Sequence, residues 1–166
     1  VLDFAAHHDK LTGLYNRAGA MSQMISFLHA NQNSKCFVAV MADLDHLKQI
    51  NDNFGHSAGD SAIKMTAKIL SGVLPKNSPL GRSGGDEFMG LFIPEYEGQA
   101  EDIRKEVLER CELYNKSSKK PYYLGISVGC ATFYDADAAT LSDEMKHADK
   151  ELYKAKKLRR KNVVRT

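Results

Sequence analysis

The chain has 166 residues, 43% of them hydrophobic and 27% charged, enough for one globular domain that buries about two thirds of the surface its unfolded chain exposes. That balance excludes a disordered tract or a fibre, no apolar run approaches the ~20 residues that span a bilayer, and no signal-peptide pattern opens the chain. The expectation is a cytoplasmic domain with no membrane contact of its own. Net charge is +2, yet Lys154, Lys156, Lys157, Arg159, Arg160, Lys161 and Arg165 crowd the last thirteen positions, leaving residues 1–153 with 16 basic against 21 acidic side chains. A basic tail on an acidic body argues against a nucleic-acid surface and fits either one local anion contact or a solvated helix end whose cations suit the helix dipole.

Cys36, Cys111 and Cys130 are an odd set with unmatched spacings, which supports neither a disulfide framework nor a zinc site. Residues 1–8 read as the end of a helix arriving from an upstream domain, and residues 9–166 as one domain. Met21, Met24, Ile25 and Leu28 give helical spacing within Arg17 to Ala30, and Cys36 to Ala42 is a short apolar run of strand formers. Asp43-Leu44-Asp45 follows where that strand leaves the core. Leu47, Ile50 and Phe54 predict a short helix ended by Gly55, and Ala62, Thr66, Ile69, Leu70 and Val73 a second, ended before Pro75 and Pro79.

Leu80 to Ser83 and Asp86 to Ile93 then predict a hairpin, with Gly84-Gly85 supplying the positive φ angles of a two-residue turn. A helix through Ile103, Val107 and Cys111, a strand from Tyr122 to Phe133, a helix through Leu141, Met145, Ala148 and Leu152, and a last strand at 162–165 complete the chain. The order α-β-α-α-β-β-α-β-α predicts an α/β (α+β) fold with a mainly antiparallel sheet flanked by helices.

Asp43 and Asp45 at one strand end and Asp86 and Glu87 at the hairpin tip would repel unless a cation lay between them. Oxygen ligands without His or Cys point to Mg2+ or Mn2+, and such a metal keeps positions for phosphate oxygens. Gly84 and Gly85 would let backbone approach a ligand closely, and Lys48 offers a mobile positive charge beside the acids. Asn51 and Asp60 flank the turn at His56. They present an amide and a carboxylate that suit a guanine edge, or else they cap the two helices.

Asp9 to Arg17 (DKLTGLYNR), Asp43 to Asp60 (DLDHLKQINDNFGHSAGD), Ser83 to Phe88 (SGGDEF) and Ala148 to Arg160 (ADKELYKAKKLRR) resemble, in order and spacing, the GGDEF domain of diguanylate cyclases. The resemblance implies a fold similar to the palm of nucleotidyl cyclases and polymerases, with the motif on a β-hairpin turn. It implies condensation of two GTP to cyclic di-GMP and pyrophosphate across a homodimer, two Mg2+ or Mn2+ per site, and an upstream sensory or regulatory domain. It assigns Asp43, the Leu44 carbonyl, Asp86 and Glu87 to the metals, with Asp86 as proton acceptor and Lys48 facing the transferring phosphoryl group. Asn51, Asp60 and His56 contact the nucleotide, Gly84 and Gly85 lie against it, and Lys156 and Arg160 bind its phosphates.

Leu47 and Ala20 stand where the family usually has phenylalanine, Ser83 replaces an aromatic, and Arg159 and Lys161 replace Gly and Asn. The Arg-x-x-Asp motif with which many members bind product would fall at Pro75 and Ser78, neither of which can serve. Two rivals remain: a non-catalytic module that binds GTP or a partner protein to regulate an attached domain, and a cyclase making a mixed guanine-adenine dinucleotide.

Overall fold

Strand parity explains the architecture. In the computed structural model, which describes residues 4–166, β1 (Phe37–Leu44) is one of the two inner strands of an antiparallel four-stranded sheet ordered β2-β3-β1-β4. Its partners are β3 (Glu87–Phe92) on one side and β4 (Ile126–Phe133) on the other, and β2 (Leu80–Arg82) pairs with β3. Successive side chains on a strand point to opposite faces. Val38, Val40, Ala42 and Leu44 therefore join Phe88, Phe92, Ile126 and Val128 in one apolar cluster, while Phe37 and Ala39 join Met89, Leu91 and Phe133 in another. With both faces covered, β1 reads as a continuous apolar run rather than an alternating one.

The first face is covered by α3 (Leu47–Phe54), α4 (His56–Val73) and α5 (Gln99–Ser117), which contribute Ile50, Ala62, Ile69, Leu70, Ile103 and Val107. The buried Thr66 hydroxyl donates to the Ala62 carbonyl at 2.9 Å, so it enters this core without an unmet donor. Gly55, at φ +88°, ends α3 and starts α4, a conformation that L side chains rarely adopt.

The second face is covered by α2 (Arg17–Ala30) and α6 (Ala138–Lys156). Asn16 caps α2 by accepting from the Gly19 amide, and Asp137 caps α6 by accepting from the Ala139 amide. Leu141, Met145, Ala148 and Leu152 give α6 its buried stripe. The helix meets β4 at Gly129, where an added Cβ would lie 2.1 Å from the Leu152 nitrogen and 2.3 Å from the Ala148 oxygen. Backbone thus rests on backbone, one helical turn before Lys156.

Among the described residues, no helix is long and apolar enough to cross a membrane. The incoming helix is described as α1 (Phe4–His7), and the expectation for residues 1–3 lies outside the described residues. Residues 4–8 do find partners: the Asn16 amide donates to the His7 carbonyl at 2.9 Å, and His8 bridges Tyr15. Two strand expectations change. β4 starts at Ile126, because Tyr122 instead bridges Val164, and the expected last strand is reduced to that single bridge.

Candidate active site

Asp43 is the last residue of β1 on the α6 face. It stands opposite Glu87 on β3 and Ser127 on β4, and is 3% exposed. Its neighbour Leu44 donates its amide to the Asp86 carbonyl at 2.9 Å, which ties the strand end to the hairpin tip. One Asp43 oxygen, Oδ2, pairs with the Lys156 ammonium from the last turn of α6, and the other, Oδ1, is buried with no hydrogen-bond partner. Burial pushes the Asp43 carboxyl up to about 6 against the Lys156 hydrogen bond, and the Asp86 and Glu87 charges add to the rise. Partial burial alone would lower the Lys156 pKa, but the bond to Asp43 and the surrounding acids lift it above the usual range.

The four acids do not converge as a group. Asp45 turns away from the hairpin: its amide donates to the Gly125 carbonyl at 2.8 Å, and its Oδ1 accepts the Ser127 hydroxyl at 2.6 Å. Burial raises its carboxyl above the ordinary range, opposed by Ser127 and by the positive charge of Arg159. Asp45 thus faces β4 and Ser127 rather than the hairpin tip. Among the described residues no three His, Cys, Asp or Glu side chains are drawn together closely enough to hold a metal ion by themselves. The remaining acids still suit a hard divalent cation, because the unpartnered Asp43 oxygen, two further carboxylates and a lysine already acting as counter-ion form an oxygen-rich site short of positive charge.

The hairpin tip also departs from expectation. Ser83 to Asp86 form a longer connection in which the Ser83 and Gly84 amides both approach the Glu87 carbonyl, at 2.9 and 3.4 Å, and neither Gly84 nor Gly85 has positive φ. Arg82 shapes this turn instead. Its Nε and one terminal nitrogen donate to the Gly85 carbonyl at 3.1 and 2.9 Å, and the other terminal nitrogen meets Asp9 at 3.1 Å. Burial alone would raise the Asp9 carboxyl, but the Thr12 amide and hydroxyl together with Arg82 hold it below the usual range. Arg82 and Asp9 were legible only as a motif match and a strand end. Beside the turn, a groove of about 310 Å³ opens past Glu87 and Ser83 toward Met41, Met89 and Met145.

The structure brings Asn51 and Asp60 to one helix crossing. Gly59 lies under Asn51, whose Oδ1 would be 1.8 Å from an added Cβ and is buried without a partner. Asp60 is the next residue, exposed and beyond the first turn of α4, so it does not cap that helix. Asn51 closes α3 through its backbone carbonyl alone, which accepts the Gly55 amide at 2.8 Å. Exposed His56 opens α4. Lys48 is 88% exposed and pairs with Asp52 at 2.6 Å rather than with Asp43, while the Arg160 guanidinium lies over Tyr123 at 4.2 Å, with Arg165 at 4.6 Å. Of the two expected phosphate cations, only Lys156 reaches the acids.

A mixed α/β fold with an acidic strand end beside a glycine-containing turn is the arrangement seen. The family model for "Diguanylate cyclase, GGDEF domain" matches residues 6–162, and the chain belongs to that family. It is 32% identical over 164 residues to the probable diguanylate cyclase DgcT of Escherichia coli K12, covering 96% of this chain and 35% of that protein. It is also 32% identical over 161 residues to the diguanylate cyclase VdcA of Vibrio cholerae, covering 94% of this chain and 46% of that one. The chain thus spans less than half the length of these two relatives. Among solved structures, a microbial GGDEF domain with cyclic di-GMP aligns at a TM-score of 0.75 and 30% identity, covering all of both chains. The diguanylate cyclase SiaD of Pseudomonas aeruginosa, with its activator SiaC, aligns at 0.80 and 26% identity over 99% of this chain and 64% of that one.

Proposed function

We propose that the chain is the catalytic domain of a diguanylate cyclase. It would condense two GTP into cyclic di-GMP and two pyrophosphates, with two copies of the domain face to face. In each half-reaction the 3′-oxygen of one GTP attacks the α-phosphorus of the other. A phosphorus–oxygen bond forms, the bond to pyrophosphate breaks, and the hydroxyl proton passes to a base, for which Asp86 stands nearest in the family pattern. The observation that carries this reading is the buried Asp43 carboxylate, with one oxygen unfilled and Glu87 directly across the ladder.

Asp43, the Leu44 carbonyl, Asp86 and Glu87 would hold two Mg2+ or Mn2+. Those ions would supply charge neutralisation at the phosphates and a lowered pKa at the attacking hydroxyl. Asn51, packed over Gly59, and the exposed Asp60 next to that glycine would accept from and donate to the guanine edge, with His56 a further contact. Gly84 and Gly85 would let the turn backbone approach the phosphates, and Lys156, Arg160 and Lys48 would supply cations to them. The length of the relatives and the activator bound to SiaD support a partner or upstream domain that sets dimerisation.

Incubation of the full-length dimeric protein with GTP and Mg2+, with the products separated, tests the reading. Cyclic di-GMP is the expected product. GTP bound without turnover would make the chain a non-catalytic module, and a mixed dinucleotide formed when ATP is added would make it the other cyclase.

A further inference from the structure

The basic tail is held by contacts that nothing in its charge pattern announces. After α6 the chain unwinds through a turn and passes the opening of α3, where His46 and Gln49 reach it. The His46 Nε2 donates to the Arg160 carbonyl at 2.6 Å, from a residue in the left-handed region at φ 56°. A non-glycine residue rarely adopts that conformation unless its surroundings hold it there. The Gln49 amide donates to the Lys161 carbonyl at 3.1 Å and accepts from the Val163 amide at 3.2 Å. Donating to one residue and accepting from the second one along is how a neighbouring strand would pair. One side chain therefore stands in for a strand edge.

On its other side the tail is fixed as well: the Val163 carbonyl accepts from Tyr123 at 2.7 Å, the Arg165 amide donates to Pro121 at 2.9 Å, and the Val163 side chain is 1% exposed in the core. The segment is thus gripped between α3 and the approach to β4, in one register. Lys156 lies just before the grip and Arg160 within it, while Lys48 leaves the same turn of α3 as Gln49.

We propose that Gln49, with His46, is a positioning residue that locks the tail to α3, so that the cations of Lys156 and Arg160 meet the triphosphate in a fixed register. The proposal rests on the cyclase reading. Gln49 would touch no substrate and would act through the backbone at 160–163. Its loss should then weaken phosphate recognition and leave recognition of the base alone.

Calorimetry in Mg2+ with two separate probes, inorganic tripolyphosphate and guanosine, resolves this in the full-length protein. Gln49→Ala should weaken tripolyphosphate binding about tenfold, the equivalent of one or two lost hydrogen bonds, and leave guanosine binding unchanged. Amide hydrogen exchange at 160–164 should quicken. Gln49→Glu keeps the acceptor for Val163 but sets an anion against the Lys161 carbonyl, and should weaken tripolyphosphate binding at least as much as Gln49→Ala, with guanosine binding again unchanged. Unchanged tripolyphosphate affinity with faster exchange at 160–164 would overturn the proposal, and so would equal losses for both probes, which mark general damage to the fold. A wild-type protein that binds neither probe would remove the cyclase reading itself, and this proposal with it.

Discussion

Phe37 and Asp43 sit on the same face of one strand, and the two ends they mark are built oppositely. At the Phe37 end the ring lies 5.5 Å from Phe133 and 6.5 Å from Phe27, within an apolar cluster. At the Asp43 end a carboxylate equally hidden from solvent faces another acid across the ladder and is balanced by one lysine. Burying rings lowers the free energy of the fold, whereas burying a charge with an unfilled oxygen raises it. The contrast separates the residues that hold the sheet together from those poised for a ligand.

The largest expected effect breaks the closed end. Phe37→Ala should destabilise the domain by about 3–5 kcal/mol through lost burial and the cavity left behind, as read by denaturant unfolding. Asp43→Asn should do the converse. On the proposed reading, cyclic di-GMP formation should fall on the order of a hundredfold or more, because stabilisation present mainly in the transition state is lost. Its melting temperature should barely move, since removal of a poorly solvated charge offsets loss of the Lys156 pair. Full activity in this variant would sink the assignment of Asp43.

Lys156→Met sharpens the contrast further. With the internal counter-ion gone, both Asp43 oxygens are free for an external cation, so Mn2+ alone should bind about tenfold more tightly in a titration followed by electron paramagnetic resonance. Equal or weaker binding would mean that Lys156 does not compete for that carboxylate. The smallest expected effect is none at all, and it concerns the closed end. The Pro75 carbonyl there accepts both the amide and the hydroxyl of Ser78, at 3.1 and 2.5 Å, which closes a turn without any arginine or aspartate. Initial rates should be unaffected by cyclic di-GMP until it competes with GTP.

Much of this was legible in the sequence because it depends on local pattern. The bounds of α2 fall at Arg17 and Ala30 as periodicity predicts, and the Asp43 and Glu87 ends meet because hairpin and strand must pair in some register. What was not legible depends on direction. Asp43 and Asp45 look alike in sequence, but the chain leaves the strand between them, and Ser127, far along the chain, captures only the second. The Gly84-Gly85 pair suggested a tight turn, yet Arg82 pulling on the Gly85 carbonyl favours a wider one. No charge pattern could place the Arg160 guanidinium over Tyr123, because that position follows from the grip on the tail backbone.

The contact at Gly129 has a mechanical side. α6 touches the sheet there without side-chain slack, at Ala148 and Leu152, so any tilt of the helix would turn about that point like a beam on a fulcrum. At 1.5 Å rise per residue, the arm from Leu152 back to Ala138 is about 21 Å, and the arm forward to Lys156 is about 6 Å. A tilt that displaced the far end would therefore reach Lys156 reduced to roughly a third. The seat of the beam leaves no room for a Cβ, so a library randomised at position 129 and sorted for folding should return glycine. Lys156 sits on the short arm, where the carboxylate it balances is least disturbed by whatever pushes on the long one.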